Sequence, residues 1–335
     1  MGDVLMTLPV IDAVARQHPD VRFTFVSRAW VKPLVQLLPP NVGFVSADLK
    51  GRHKGLMGLN RLSRRLMALH PTAVADLHDV LRSRWIDLRL RLTGVRVAIV
   101  DKGRRARRRF LRAEVKTRQR PVFERYADVF RRLGLDVSVD FTHLDTNGLL
   151  ADSNLKAARP EPHWVGIAPF AAHNGKIYPA EMMEKVVASL SGRGDVRVFL
   201  FGAGAAESAM LEDWASRYEH VESVAGRMRD MSEELALISH LEVMLSMDSA
   251  NMHLASLAAV PVVSVWGATH PFGGFLGYGQ SLEDVVQLDG LDCRPCSIYG
   301  QKPCCKGDYP CLRDIRPEVI VGHIERHLTA NTKAQ

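Results

Sequence analysis

Asp248-Ser249 follows an apolar run, Val243 to Ser246, that predicts a buried strand, and it opens a small-residue segment, Asn251 to Ala259, that predicts a short helix. An acid and a hydroxyl where a strand runs into a helix make an anion site. Such a site offers backbone N–H groups with no intrahelical partner, a hydroxyl, and the positive end of the helix dipole. By charge Asp248 is no phosphate ligand, but its carboxylate can accept from sugar hydroxyls and hold a lysine. A second turn of this kind opens the chain, where Gly2-Asp3 precedes a helix predicted over Leu5 to Gln17. Asp3 there can act as a general base or simply cap its helix. Two such turns about 245 residues apart predict two nucleotide-fold halves facing each other across a cleft.

These stretches resemble glycosyltransferase family 9, the ADP-heptose:lipopolysaccharide heptosyltransferase family. Gly2-Asp3-Val4-Leu5-Met6-Thr7-Leu8-Pro9 is similar to that family's opening G-D-x-x-x-x-x-P, and Asp248 to Ala255 to its D-[ST]-G-x-x-H-[LI]-A segment. A Pro-Val-Val strand and a Gly267-x-Thr269-x-Pro271 turn follow, and the similarity runs over essentially the whole chain. The resemblance implies a GT-B architecture, two doubly wound Rossmann-like α/β domains around a central cleft, and an inverting transfer from ADP-heptose to a Kdo-lipid A type inner core. Asp3 would be the catalytic base. Lys176, before Tyr178-Pro179, would clamp the donor phosphate, with Ser249 and the amides after it capping the diphosphate. His253 would touch the donor or pack. Gly202, Gly204 and Glu207 would lie near the ribose and base, and Met228 would line the adenine pocket or pack. Ala250 stands where the family has glycine, and Ala171 and Ala172 where it often has hydroxyls, so backbone amides must serve there. No D-x-D carboxylate pair stands out, so departure of the diphosphate is assigned to Lys176 and the helix dipole, with no cofactor and no metal required. A different nucleotide sugar or acceptor, or a non-catalytic nucleotide-sugar-binding scaffold at the membrane surface, is the alternative.

Charge is unevenly spread. Residues 1–160 carry 30 Lys and Arg against 15 Asp and Glu, and the remainder 14 against 22. The densest run, Asp101 to Arg112, suits an acidic partner or, more plainly, a solvated basic loop. The resemblance assigns Lys102, Arg104, Arg105, Arg107, Arg108 and Arg109 to an anionic glycolipid acceptor at the inner-membrane face. The arginines lack interleaved aromatics and no nucleic-acid motif is present, so nucleic acid is not an expected partner. No apolar run reaches the length of a spanning helix and no signal-type segment is present, so the expected location is cytoplasmic, and the resemblance implies a peripheral place at the inner face of the inner membrane. All five cysteines lie between Cys293 and Cys311. They read as reduced structural thiols, with a zinc site on Cys293, Cys296, Cys304 and Cys311 as the alternative.

At 335 residues the chain predicts two domains. Strand and helix signals alternate throughout, and a polar linker, Asp145 to Pro162, divides the chain into 1–155 and 156–335, which the resemblance makes an acceptor domain and a nucleotide-sugar domain. A strand is expected just before the Gly2-Asp3 turn, so Met1 is expected to be an internal methionine. The sequence sets no oligomeric state.

Overall fold

The computed structural model describes residues 1–150 and 163–332. The chain forms two compact units: Asp3–Arg104 with Arg120–Leu144, and Asp145 onward with Met1–Gly2 and Arg105–Gln119. Of the expected linker, residues 151–162 lie outside the described residues, and those from Asp145 group with the second unit.

In the first unit β1 (Phe23–Ser27) pairs in parallel with β2 (Val42–Ser46), and β3 (Ala73–Asp76) with β4 (Arg96–Ile99). Helix α1 (Gly2–Leu5) leads into α2 (Leu8–Gln17), where Pro9 sits in the first turn and its missing N–H costs nothing. Leu8, Val10, Ile11 and Val14 of α2 are buried, and α2 packs on α7 (Val122–Arg132). Between them in sequence lie α3 (Lys32–Val35), α4 (Gly55–Met67) and α5 (Leu81–Arg91), and then α6 (Arg104–Arg112), which groups almost entirely with the second unit. Leu59, Leu62 and Leu66 of α4 recur at helical spacing and are buried.

The second unit is built on a six-stranded parallel sheet in the order β10-β9-β8-β5-β6-β7. Its strands are β5 (His163–Ala168), β6 (Val196–Leu200), β7 (Val221–Ser223), β8 (Val243–Met247), β9 (Val262–Trp266) and β10 (Val285–Gln287). Helices α8 (Ala180–Ser191), α9 (Ala205–Arg217), α10 (Met231–Ile238) and α11 (Ala250–Leu257) alternate with the strands. After β10 come α12 (Pro310–Arg313) and α13 (Pro317–Thr332). Every residue of β8 and β9 is buried, the signature of parallel strands covered on both faces, and it explains their unbroken apolar sequence. The chain winds from β5 through β6 to β7, then returns to β8 on the other side of β5. The sheet therefore has its switch point between β5 and β8, where ligands of open α/β sheets bind at the carboxyl ends. Among the described residues no helix is long and apolar enough to cross a membrane.

The Asp101–Arg112 run is a helix over most of its length rather than a solvated loop. Its residues Arg107 and Phe110, three apart, turn inward within the second unit. The Arg107 guanidinium lies 4.6 Å from the Phe275 ring centroid and donates to the Tyr299 hydroxyl at 2.7 Å. Phe110 meets His270 edge-on at 5.9 Å between ring centroids.

Candidate active site

The switch point brings Lys176 and Asp248 together. Lys176 ends the loop that follows β5, in a single 3-10 turn, Asn174–Lys176, and Asp248 follows β8 directly. Their parallel strands are registered so that Ala168 faces Ser246, which delivers both side chains to the same edge. Lys176 Nζ stands 2.8 Å from Asp248 Oδ2, with the Asp248 side chain only 5% exposed. The same oxygen accepts from the Thr269 hydroxyl at 2.8 Å, so a buried carboxylate has one cation and one neutral donor. Ser249 is the N-cap residue of α11 but makes no side-chain cap bond; its hydroxyl sits 3.2 Å from that of Ser246. The first-turn amides of α11 have no intrahelical acceptor and no side-chain cap from Ser249, and they follow Asp248, the partner of Lys176, an arrangement that can neutralise a diphosphate. His253, one turn along α11, is 6% exposed, and a side chain on Gly2 would lie 3.1 Å from its Cδ2.

Arg294 is a residue the sequence reading missed. It is buried and donates to the carbonyls of Gly267 (2.7 Å), Leu288 and Thr269 (both 3.1 Å) and to the Gln287 side chain (2.7 Å). Burial lowers its pKa to about 10, which leaves it charged at neutral pH. Its fork fixes the turn that presents the Thr269 hydroxyl to Asp248. The neighbouring Ala268 carbonyl accepts from Cys296 N–H (3.1 Å) and Ser297 N–H (3.2 Å), while Ala268 N–H donates to Gly175 at 2.8 Å. The cysteine-rich loop therefore ties the Thr269 turn to the Lys176 loop. Its five thiols are free, and burial pushes those of Cys293, Cys296 and Cys311 up, the last to about 11. Among the described residues Cys293, Cys296, Cys304 and Cys311 do not converge as a metal-ligand set.

Gly202 and Gly204 lie at the carboxyl end of β6, next to β5. A side chain on Gly202 would meet Leu211 at 2.8 Å and the Phe170 ring at 3.2 Å. Gly204, at φ 88° and ψ 158°, holds a backbone conformation open essentially to glycine alone. Glu207, in the first turn of α9, reaches back to the Ala203 N–H at 2.8 Å. Met228 is half-buried in the turn after β7.

In the first unit Asp3 is an exposed residue of α1, and its carbonyl accepts from the Tyr126 hydroxyl at 3.4 Å. The carboxylate is close enough to His78 to act on its titration. Burial, and then Lys102, lower the His78 pKa, while Asp3 and Asp76 oppose them. His78 is therefore neutral at pH 7. Asp76 builds the turn that carries His78. One of its oxygens accepts from His78 N–H (2.8 Å) and Asp79 N–H (3.0 Å), the other from the Ser83 hydroxyl (2.7 Å). Burial pushes the Asp79 carboxyl up, but Arg84 at 2.6 Å and Arg104 at 2.8 Å prevail and hold it below the usual range.

Behind Asp76, the buried Asp87 carboxyl is raised to about 7, first by burial and then by Asp76. The unfolded chain loses this proton near the ordinary value of 3.8, the folded chain only near 7. Stability therefore falls as pH rises through that window. Asp87→Asn, which still offers Asp76 a donor, is expected to be more stable than the wild type by about 2–4 kcal/mol at pH 8 and equal to it at pH 4. Thermal melts at the two pH values check this, and the same difference at both would contradict it.

The six basic residues do not form one face. Lys102 is half-buried, Arg104 is paired with Asp79, and Arg107 is taken up by Phe275 and Tyr299; Arg105, Arg108 and Arg109 are exposed.

The family model of glycosyltransferase family 9 (heptosyltransferase) matches residues 59–300. Lipopolysaccharide heptosyltransferase 3 of Escherichia coli K12 is 27% identical over 286 residues, 80% of each chain. A solved glycosyltransferase family 9 protein from Veillonella parvula superposes with a TM-score of 0.75 at 19% identity, covering 98% of this chain and 94% of that one. The Escherichia coli ADP-heptose lipopolysaccharide heptosyltransferase II gives 0.71 at 18%, covering 99% and 96%. The fold is GT-B, as the resemblance implied.

Proposed function

The chain belongs to glycosyltransferase family 9 and is a glycosyltransferase, and from that premise we propose that it moves heptose from ADP-heptose to an inner-core hydroxyl of lipopolysaccharide. The observation that carries this reading is the Lys176–Asp248 pair, 2.8 Å apart, beside the α11 N-terminus at the sheet's switch point. Two relatives named as lipopolysaccharide heptosyltransferases, one of them as an ADP-heptose enzyme, favour this sugar and this acceptor class.

In this reading the C-terminal unit takes the donor. Lys176 and the first-turn amides of α11 hold the diphosphate, and the Asp248 carboxylate orients Lys176 and a sugar hydroxyl. Gly202, Gly204 and Glu207 lie toward the nucleoside. The N-terminal unit takes the acceptor. The acceptor oxygen attacks the anomeric carbon, the bond from that carbon to the phosphate oxygen breaks, and ADP departs with its electron pair. Asp3 takes the hydroxyl proton. Attack opposite the leaving group inverts the anomeric centre. Charge growing on the departing diphosphate meets donors already in place, which is where such sites gain most of their rate. The acceptor is anchored in lipid, which sets the chain to work at the inner-membrane face.

Calorimetry with ADP and ADP-heptose against UDP- and GDP-sugars tests the donor. Adenine-selective binding at micromolar strength, lost in Lys176→Ala, is the expected result. Selective binding of another nucleotide would move the substrate and keep the site. No binding by a folded chain would overturn the reading.

A further inference from the structure

The outer face of α5 is apolar where a surface helix should be polar. Leu81, Leu88 and the following Leu92 are 88%, 50% and 74% exposed. At 3.6 residues per turn these three and Trp85 fall within an arc of about 60°. The buried residues of α5, Asp87 and Leu90, lie on the other side of the helix, so this stripe is a second apolar face rather than the edge of the core. The start of α4 extends it. Trp85 donates to Asn60 at 3.0 Å, and Leu56 and Met57, one turn before Asn60, are 61% and 86% exposed.

Charge around this patch is positive on balance, with Arg84 paired to Asp79. On α5, Arg84 and Arg91 flank one side of the stripe and Arg82 and Arg89 the other; α4 adds Arg61, Arg64 and Arg65. Against these seven arginines the two helices hold a single carboxyl, Asp87, which is buried. A contiguous apolar patch of this kind marks an interaction site. An apolar stripe bordered by arginines fits the boundary between acyl chains and anionic headgroups.

We infer that the α4–α5 face, through Leu56, Met57, Leu81, Leu88 and Leu92 ringed by arginine, seats the N-terminal unit on an anionic lipid surface. This rests on the reading of a lipid-anchored acceptor. Charge decides against the other occupants. A second copy would set arginines against arginines, and a nucleic acid would use the arginines but leave the leucines in water.

Flotation with vesicles of phosphatidylethanolamine and phosphatidylglycerol, against vesicles of phosphatidylcholine, tests the inference. The chain is expected to float with the anionic vesicles, and Leu81→Ser/Leu88→Ser/Leu92→Ser to lose at least about tenfold in partitioning. The three sites are exposed, so the variant should keep the wild-type melting temperature and its transfer rate to a delipidated, soluble acceptor, while transfer to a vesicle-embedded acceptor falls. Arg82→Gln/Arg89→Gln should weaken flotation in a salt-dependent way. Equal flotation of the leucine variant, no flotation of the wild type, or a self-association abolished by the leucine changes would each overturn the inference. If sugar transfer fails with every acceptor while flotation still depends on the leucines, the functional reading falls and the lipid surface stands.

Discussion

Lys176→Ala is expected to lower kcat/KM for sugar transfer by about 100- to 1,000-fold, the loss that follows removal of one charge-stabilising group from a developing anion. The structure complicates a simple reading, because Lys176 is also the cation beside a carboxylate that is only 5% exposed. Removing it leaves Asp248 with the Thr269 hydroxyl alone, at a cost of roughly 2–4 kcal/mol in stability. The two effects can be separated. Lys176→Met/Asp248→Asn removes the stranded charge and keeps a hydrogen-bonding group toward Thr269, so the melting temperature should recover toward wild type. Transfer should not recover, because the diphosphate still lacks its cation. Melts and initial rates on the three proteins decide this. If activity returns with stability in the double variant, Lys176 is a folding residue and the phosphate role fails.

Asp3→Asn should lower kcat by about 100- to 10,000-fold, in the range of a lost general base. Its donor KM should change little, since Asp3 belongs to the other unit from the Lys176 site. Stability should move by less than about 0.5 kcal/mol, because the side chain is exposed. That contrast with Lys176 is the useful part: one variant strains the fold and the other does not. His78 is the rival base, neutral at pH 7 and within electrostatic reach of Asp3. Single-turnover rates on Asp3→Asn and His78→Gln separate them. Asp3→Asn within tenfold of wild type, with His78→Gln inactive, would transfer the role to His78.

The parts of this site that sequence could reveal are those with local grammar. Asp248-Ser249 was readable because an apolar run, an acid, a hydroxyl and small residues follow one another along the chain. Lys176 has no such grammar. A lysine in a loop is ordinary, and only family resemblance singled it out before β5 and β8 brought it to Asp248. Arg294 was invisible for the same reason, and Thr269 showed only as part of the Gly267-x-Thr269-x-Pro271 turn, since what matters about them is a fork of carbonyls assembled from distant loops. Within Arg104–Arg112 the difficulty was different. Six arginines in nine residues outweigh Phe110, so the segment reads as uniformly solvated. Only the i, i+3 spacing of Arg107 and Phe110 hinted that one arginine turns inward. The exposed leucines of α5 look, in sequence, like any helical core stripe.

The Ala268 carbonyl, held by the amides of Cys296 and Ser297, has a consequence for the order in which the protein is made. Within the C-terminal unit a ribosome extrudes β5 and the Lys176 loop first, Asp248 and α11 much later, and the clasp only after β10. All six strands of the sheet precede the cysteine-rich loop, so a nascent C-terminal unit can pair its strands before the Lys176 and Thr269 loops are tied together. On the proposed function, a half-made chain offers a nucleotide sugar a lysine and a helix end with nothing to lock their positions, and competence waits for the clasp to close.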